Sequence, residues 1–318
     1  MADRIGVGTM RSAWENQRMR AVTLASFDGI DALGFSDWPD PAPSPGEELV
    51  EVRAVALGPW DIAATEGGFA AGGGATEFPQ QQGWDFAGET AAGRRVAGFV
   101  PQPWMGVGSL SERIAVASAL LADLPEGLSW AQGASLPVCS LTAQLLITGA
   151  GVSEGDRVAV TGAAGMVGGL AVELARARGA RVLGAVREAD AQEARRLGTE
   201  AIADAGGDLG LLFGEWAPGG VDACLDTVGL GAATIDGVRD GGHLITTVPG
   251  SAPEATRGIT TEAVQVQPDA AALESLLRSS AAGELTLRIA ETIPWDEYRR
   301  GYELLRAGGL RGKVVLTL

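Results

Sequence analysis

The sequence predicts an α/β protein that joins a β-rich segment to a doubly wound domain built on a parallel sheet. Three observations carry this prediction. Residues 20–142 contain mostly short apolar runs separated by turns. Residues 155–266 alternate strands with helices, which requires crossover connections and therefore a parallel sheet. Between the first two of these strands lies a glycine-rich turn that opens a helix.

The first segment has the turn-bounded apolar runs of a β-sheet domain. A proline-rich run at 39–46 and a glycine cluster at 67–74 punctuate it. The expected strands are 20–24, 48–56, 95–99 and 112–116. Residues 1–18 are mixed polar and lack the apolar core of a signal peptide, so we expect a flexible extension there.

The glycine-rich turn follows a strand at 156–161 and precedes an amphipathic helix that ends near Gly179. Gly165 would let the backbone approach a pyrophosphate, and Gly168 would let the helix pack closely on the strand. The amino terminus of the helix favours phosphate through its N–H groups and its partial positive charge. This arrangement predicts a dinucleotide-binding domain.

The rest of the chain completes both parts. Further strands are expected at 181–186, 201–203, 222–225, 243–248, 261–266 and 313–318, with helices at 268–277 and 295–305. The terminal segment is too small to form a domain, so we expect it to return to the first one. The expected organisation is the extension 1–18, a first domain 19–142 completed by 267–318, and a nucleotide domain 143–266.

Composition narrows the function classes. The chain has 40 acidic and 24 basic residues, which argues against a nucleic-acid partner or an anionic membrane surface. It has no uninterrupted apolar stretch of the length that a transmembrane helix needs. Cys139 and Cys224 do not form a disulfide framework, so we expect a reducing, cytoplasmic location.

Six short segments resemble one known family, the medium-chain dehydrogenase/reductases, in the zinc-free quinone oxidoreductase (zeta-crystallin-like) branch. The similarity runs from Met19 to Leu318, and the segments begin at Met19, Pro43, Phe78, Leu136, Asp226 and Arg311. It implies a GroES-like β-barrel domain plus a Rossmann domain. It also implies a homodimer formed through the strand at 261–266, with a covered sheet edge as the alternative for that strand.

The resemblance implies the absence of zinc as well. Catalytic zinc needs about three protein ligands and structural zinc about four. This chain has one histidine, His243, in an expected strand, and two distant cysteines. Where the zinc enzymes place their ligands it has Leu57-Gly58-Pro59 and Gly83-Trp84-Asp85.

Cofactor contacts follow from the resemblance by position. Thr142 would meet the nicotinamide end, and Lys313 would approach from the terminal strand, unless it is a surface charge. The pyrophosphate would lie against Gly162, Ala163, Ala164, Gly165, Met166, Val167 and Gly168. The cofactor trough would be lined by Val228, Val248 and Pro249.

The residue after the second strand bears on the choice of cofactor. NAD enzymes usually have an acidic residue there, which binds the ribose hydroxyls. Here Arg187 follows Val186, and a guanidinium bonded to a 2′-phosphate contributes about 1.5–3 kcal/mol. We therefore expect NADPH. Glu188, one residue further, is the argument for NADH, and the alternative for Arg187 is a solvated loop arginine.

The implied chemistry is hydride transfer to a small planar or conjugated acceptor. Without a metal ion to polarise a carbonyl, a quinone or an α,β-unsaturated carbonyl suits the site, because such acceptors delocalise the developing charge. Two alternatives stay open. One is an enoyl reductase of a bulky substrate, for which Gly58 would enlarge the pocket. The other is an NADPH-binding sensor or structural protein without turnover.

The substrate side offers few general acids. Trp60, Trp84 and Trp104 are candidates for a flat aromatic pocket, with core packing as the alternative for each. Many relatives have Asn-Pro-x-Asp where this chain has Gly58-Pro59-Trp60-Asp61, so a donor is lost. Asp61 is a candidate proton relay, but a structural loop carboxylate is the role that the usual exposure of aspartates favours. Proton delivery from solvent is the expectation.

Overall fold

The computed structural model describes residues 18–318, which form two compact units. The first unit contains residues 18–137, 268–281 and 287–318, and the second contains 138–267 and 282–286. Residues 1–17 of the expected extension lie outside the described residues, whereas Arg18 already belongs to the first strand. The sequence did not indicate that residues 282–286 return to the second unit.

The β-strands of the described residues range in length from two to eleven residues. They are β1 (Arg18–Leu24), β2 (Leu33–Pro39), β3 (Glu47–Leu57), β4 (Gln80–Gln81), β5 (Asp85–Thr90), β6 (Arg95–Phe99), β7 (Arg113–Ala117), β8 (Ala122–Asp123), β9 (Arg157–Thr161), β10 (Arg181–Val186), β11 (Ala201–Asp204), β12 (Val221–Asp226), β13 (Val238–Thr246), β14 (Thr260–Ala263), β15 (Ile289–Pro294) and β16 (Lys313–Thr317).

The helices lie mainly in the second half of the chain. The α-helices of the described residues are Pro59–Thr65, Gln102–Met105, Trp130–Ala134, Pro137–Gly149, Met166–Ala177, Ala191–Leu197, Leu209–Trp216, Ala270–Ala281 and Tyr298–Ala307. Short 3-10 turns include Gly29–Ala32, Glu188–Asp190 and Trp295–Glu297. Within residues 18–318, none of these helices combines the length and the apolar character needed to cross a bilayer.

The first unit is built around the long strand β3. It pairs antiparallel with β16, β5 and β7, and β5 continues the sheet to β6 and β8. A second sheet has the order β2-β1-β4. Apolar side chains from both sheets and from the helix Tyr298–Ala307 fill one core, including Phe86, Tyr302 and Leu316. Burial of this apolar surface is the main stabilising contribution.

The second unit has one parallel sheet, with the order β11-β10-β9-β12-β13-β14. From β9 the chain first builds outward through β10 and β11 and then crosses to β12, so the strand order reverses between β9 and β12. In doubly wound sheets ligands bind at this reversal, beyond the carboxyl ends of the strands. The predicted fold class is confirmed.

Several predicted boundaries shift. β13 begins at Val238 and ends at Thr246, so Val248 lies in the following turn. β14 ends at Ala263, three residues before the end of the strand that was predicted at 261–266. β15 was not predicted because apolar and polar residues do not alternate along it, and only Ile293 is buried in that strand.

Candidate functional site

The second unit presents a glycine turn at the strand-order reversal. Gly162 follows β9 with a φ of +63°, a conformation that glycine adopts without strain. A Cβ on Gly168 would overlap the carbonyl oxygen of Gly162, so only glycine lets the helix approach the turn this closely. The predicted packing role of Gly168 is therefore what the structure shows.

Gly165 is the N-cap of the helix Met166–Ala177. It has no side chain that could accept hydrogen bonds from the amides of the first turn, and a Cβ there would have open space except for the oxygen of Gly162 at 3.2 Å. A helix that begins in this way favours a phosphate at its amino terminus. The turn thus fits the pyrophosphate of a dinucleotide.

A buried carboxylate fixes the opposing loop. Asp226, at the end of β12, is 0% exposed. Its oxygens accept hydrogen bonds from the amides of Val228, Gly229 and Gly231 at 2.8–3.2 Å, and from the hydroxyl of Thr161 at 2.6 Å. This shapes the loop around the cofactor turn. The sequence analysis noted Asp226 only as part of a family segment; an acidic residue that ends a buried strand before two glycines was the available signal.

The predicted trough residues lie in two loops, Val228 after β12 and Val248 and Pro249 after β13. Val228 is 53% exposed, and Gly162 leaves room for it, since a Cβ there would lie 2.7 Å from the Val228 Cγ1. Val248 sits beside Gly229, and Pro249 is exposed in the next turn. The hydroxyl of Thr142 donates to the carbonyl of Val138 at 2.6 Å.

The other predicted pyrophosphate residues differ in exposure. Ala163 is fully buried and Ala164 is 8% exposed, so their side chains pack inward and only backbone groups can serve a ligand. Met166 and Val167 are half-buried in the first helical turn.

Arg187 stands at the carboxyl end of β10, as predicted. Its guanidinium is largely exposed and donates from Nε and Nη2 to Asp190 Oδ2 at 2.9 and 2.7 Å. Glu188 is exposed on the intervening 3-10 turn. A 2′-phosphate at this position would meet one arginine that already has a carboxylate partner.

In the first unit, three strands bring a buried ion pair together. β3 pairs Ala56 with Asp85 of β5 on one side, and Leu57 with Val314 of β16 on the other. Lys313, which opens β16, donates to Asp85 Oδ2 at 3.0 Å. Lys313 is 3% exposed, so the surface-charge alternative is wrong. Its ammonium also lies 4.3 Å from the centre of the Trp60 ring.

Asp61 lies in the same region and corrects a second expectation. The expected structural loop carboxylate lies in the helix Pro59–Thr65 rather than in a loop, and it is 0% exposed. Its Oδ2 accepts the N–H of Gly58 at 2.7 Å, and its Oδ1 has no hydrogen-bond partner among residues 18–318. Burial raises the pKa of Asp61 to about 7, although the Gly58 amide and Lys313 lower it and Asp85 raises it further.

Gly58 does not enlarge a pocket. A Cβ at this position would overlap the six-membered ring of Trp60, so the indole folds back over Gly58 and takes up the space that the missing side chain leaves. The same indole receives the Lys313 ammonium on its face. The expectation that Gly58 opens room for a bulky substrate is therefore wrong.

The three predicted tryptophans do come together. Trp84 lies 6.2 Å from Trp60 and 6.1 Å from Trp104, measured between ring centres. Phe69 contacts Trp84 and Trp104, and Phe99 stacks on Trp84 at 6.5 Å. Trp84 is buried, as the core alternative expected, whereas Trp104 is 40% exposed. The exposed face of this cluster is the part that a planar ligand could contact.

The single histidine and the two cysteines lie in helices and strands of the second unit. His243 lies in β13 beside Ala223 and Thr260. Cys139 and Cys224 are buried free thiols, and burial raises the pKa of Cys224 to about 12. In the part of the chain that the structure describes, no three His, Cys, Asp or Glu side chains are grouped as metal ligands would be.

Comparison with known proteins agrees with this architecture. A family model described as zinc-binding dehydrogenase matches residues 197–316. The 2-methylene-furan-3-one reductase of Solanum lycopersicum is 27% identical, over 94% of this chain and 79% of the relative. The chloroplastic NADPH-dependent alkenal/one oxidoreductase of Arabidopsis thaliana is also 27% identical, over 77% of this chain and 66% of the relative.

A solved structure matches both units. The quinone oxidoreductase from Coxiella burnetii aligns with a TM-score of 0.84 and 26% identity, covering 95% of this chain and all of its own. The fold and the glycine turn thus define an oxidoreductase with a GroES-like unit and a Rossmann unit. The chain belongs to the medium-chain dehydrogenase/reductase superfamily, in its quinone oxidoreductase-like branch.

Proposed function

We propose that this chain is an NADPH-dependent reductase that transfers hydride to a quinone or a similar electron-poor conjugated acceptor. The observation that carries the proposal is the turn at 162–168, where the close contact between Gly168 and Gly162 brings the amino end of the helix Met166–Ala177 to the strand-order reversal. The activities named for the relatives support the acceptor class.

The second unit would hold the cofactor mainly with its backbone. Amides at the start of the helix Met166–Ala177 would bind the pyrophosphate, and Arg187 would bind the 2′-phosphate. Val228 and Val248 would flank the nucleotide. When bound, the reduced nicotinamide supplies the hydride, and the protein supplies orientation and exclusion of water.

The first unit would supply the acceptor surface. Trp104 holds its ring in place by donating from Nε1 to the carbonyl of Gly72 at 3.1 Å, and Phe69 packs against its edge. A ring fixed in this way offers an aromatic face for stacking at small entropic cost. A flat conjugated acceptor matches that surface.

The reduction of a conjugated enone is the second candidate. Two of the relatives are named for it, the furanone reductase and the alkenal/one oxidoreductase. The filled space at Gly58 argues against a bulky enoyl substrate, which favours small enones within this class.

Loss of NADPH absorbance, followed with quinones, small enones and enoyl thioesters, tests the proposal. Turnover with quinones supports the first candidate, and turnover with enones alone supports the second. Tight binding of NADPH with no turnover would instead indicate the sensor role. NADH run in parallel tests the cofactor preference.

A matched pair of variants identifies the site of binding. Gly165→Val places a branched side chain at the amino end of the helix, where the proposed pyrophosphate would lie. We expect calorimetry to show a large loss of NADPH affinity. Gly214→Ala is the control, because Gly214 lies in the helix Leu209–Trp216 with no atom near its missing Cβ. Equal affinity in both variants would contradict the proposed site.

We also propose that the chain forms a homodimer through β14. This strand is the last of its sheet, and Thr260, Glu262 and Ala263 are exposed on it. Exposed edge strands pair readily with a second copy. Light scattering of the wild type and of Thr261→Pro tests this, with a monomeric wild type as the contrary result.

A further inference from the structure

The proposed reduction consumes a proton, and the first unit contains a buried group that can store one. Asp61, Asp85, Tyr302 and Lys313 come from four different elements and are each between 0% and 3% exposed. Two carboxyl groups therefore share the interior with one ammonium. A buried carboxylate without a balancing charge costs several kcal/mol, so the group is most stable with one proton bound.

The contacts decide which carboxyl group holds that proton. Asp85 accepts a hydrogen bond from the Lys313 ammonium at 3.0 Å, which balances its charge. Asp61 Oδ2 accepts a bond from a neutral backbone N–H, that of Gly58. Asp61 Oδ1 has no hydrogen-bond partner among the described residues. The proton therefore belongs on Asp61 Oδ1.

The other groups around Asp61 are neutral or exposed. Tyr302, on the helix Tyr298–Ala307, is fully buried, and burial raises its pKa well above the usual value, with a further contribution from Asp61. The 3-10 turn Gly29–Ala32 also packs against the helix of Asp61, and its acidic residue, Asp31, is exposed. Lys313 and Asp85 are thus the charges that Asp61 faces from neighbouring strands.

We propose that Asp61 stores the proton that the reduction consumes, and that Lys313 stabilises the carboxylate once the proton has left. This inference rests on the proposed function. Hydride addition converts the acceptor into an anion. The O–H bond of Asp61 then breaks as it gives its proton to a bridging water, and that water gives up one of its own protons to the anion. A proton from solvent restores the acid.

Asp61 acts through other groups, because it is fully buried. Trp60 Nε1 and Tyr302 Oη are further buried polar atoms without hydrogen-bond partners among residues 18–318. Ordered water bonded to these atoms would carry the proton from Asp61. Asp61 is accordingly a proton store rather than a residue in contact with substrate.

The first test uses Asp61→Asn, which keeps an oxygen for the Gly58 amide but cannot release a proton. We expect kcat with the best acceptor to fall about 100-fold or more at pH 6, since general-acid effects are typically 100- to 10,000-fold, with little change in KM or in NADPH affinity. In the wild type, kcat should fall as the pH rises above about 7, where Asp61 is ionised. This fall should be absent in the variant.

The second test does not depend on activity. Lys313 is the only lysine in the sequence, so lysine labelled with ¹³C at Cε gives one protein resonance. Ionisation of Asp61 should shift this resonance near pH 7 in the wild type, and not in Asp61→Asn. Asp31→Asn, which removes the exposed carboxyl group of the neighbouring turn, should titrate like the wild type.

The outcomes separate the two ideas. A wild type that oxidises no NADPH with any acceptor overturns the proposed function and this inference with it. A wild type that turns over while Asp61→Asn retains its kcat and its pH profile overturns only the inference. If Asp61→Asn fails to fold, a wild-type lysine resonance that does not titrate between pH 6 and 8 overturns the inference alone.

Discussion

The candidate sites of the two units are built from different parts of the chain, one mainly from backbone and the other from side chains. In the second unit the cofactor turn is made of backbone, glycine and one buried carboxylate, Asp226, and most of it lies within a few residues of sequence. In the first unit the buried charged cluster is made of side chains, and the contact between Lys313 and Asp85 spans 228 residues. The backbone site depends on how closely the helix approaches the turn. The side-chain site depends on the balance between the buried carboxyl groups and the one buried ammonium. Substitutions should therefore weaken the two units for different reasons.

The largest effect should follow loss of the single buried ammonium. Lys313→Met keeps much of the side-chain volume but leaves the buried Asp85 without its cation. We expect the free energy of unfolding in urea to fall by about 3–5 kcal/mol, as for other buried pairs that lose one partner. The double variant Lys313→Met, Asp85→Asn should recover most of this loss. A single variant as stable as the wild type would show that charge balance does not control this unit.

The next effect concerns pH. The pKa of Asp61 is about 7 in the folded chain against 3.8 in the unfolded one, so the folded chain keeps its proton while the unfolded chain releases it. Stability from this group is fully present below about pH 4 and is lost as the pH rises through about 7. The total is at most about 4 kcal/mol, at 1.36 kcal/mol for each pH unit.

Asp61→Asn isolates that contribution. Subtracting its unfolding free energy from that of the wild type, from pH 4 to pH 8, should give a difference that falls with pH and levels off above about 7. A difference that stays constant over this range would mean that Asp61 is not protonated in the folded chain.

A smaller effect is expected at the glycine turn. Gly168→Ala forces a Cβ against the carbonyl oxygen of Gly162, so the helix must move away. Overpacking of this kind costs about 1–3 kcal/mol, and the displaced helix should also lose NADPH affinity. Gly214→Ala is again the control, and should stabilise the same unit by up to about 1 kcal/mol. Normal NADPH binding by Gly168→Ala would refute the close-approach argument.

The difference between the units also explains what the sequence could predict. The turn could be predicted because Gly162, Gly165 and Gly168 run from the end of one strand into the first turn of one helix, and both elements have a residue pattern that a short stretch of sequence shows. Even the position of Arg187 followed from the strand that precedes it. The pairing of Arg187 with Asp190 did not, because it depends on how a short 3-10 turn folds back.

The side-chain cluster was not predictable in the same way. Asp61 was interpreted as an exposed carboxylate because most aspartates are, and Lys313 was left between two roles. The burial of Lys313 follows from strand pairing, which places the start of β16 and the start of β5 on either side of the end of β3, and Asp61 lies in the helix just after that end. Gly58 was misread since the sequence does not show that Trp60 folds back over it.

The smallest effect concerns Arg187, the charged side chain that we expect to bind the 2′-phosphate in the second unit. Asp190 occupies the Nε and Nη2 donors of Arg187, so a 2′-phosphate has to compete with it. Asp190→Asn removes the competing charge but keeps a similar shape. Because the pair is exposed and worth about 0.2–1 kcal/mol, NADPH should bind roughly 1.5- to 5-fold more tightly, with NADH unchanged. Calorimetry with 2′,5′-ADP and 5′-AMP measures the same ratio without turnover. Arg187→Gln should reduce the preference for 2′,5′-ADP and make it insensitive to Asp190. If Asp190→Asn leaves the ratio unaltered while Arg187→Gln lowers it, the arginine reads the phosphate without being restrained by its neighbour.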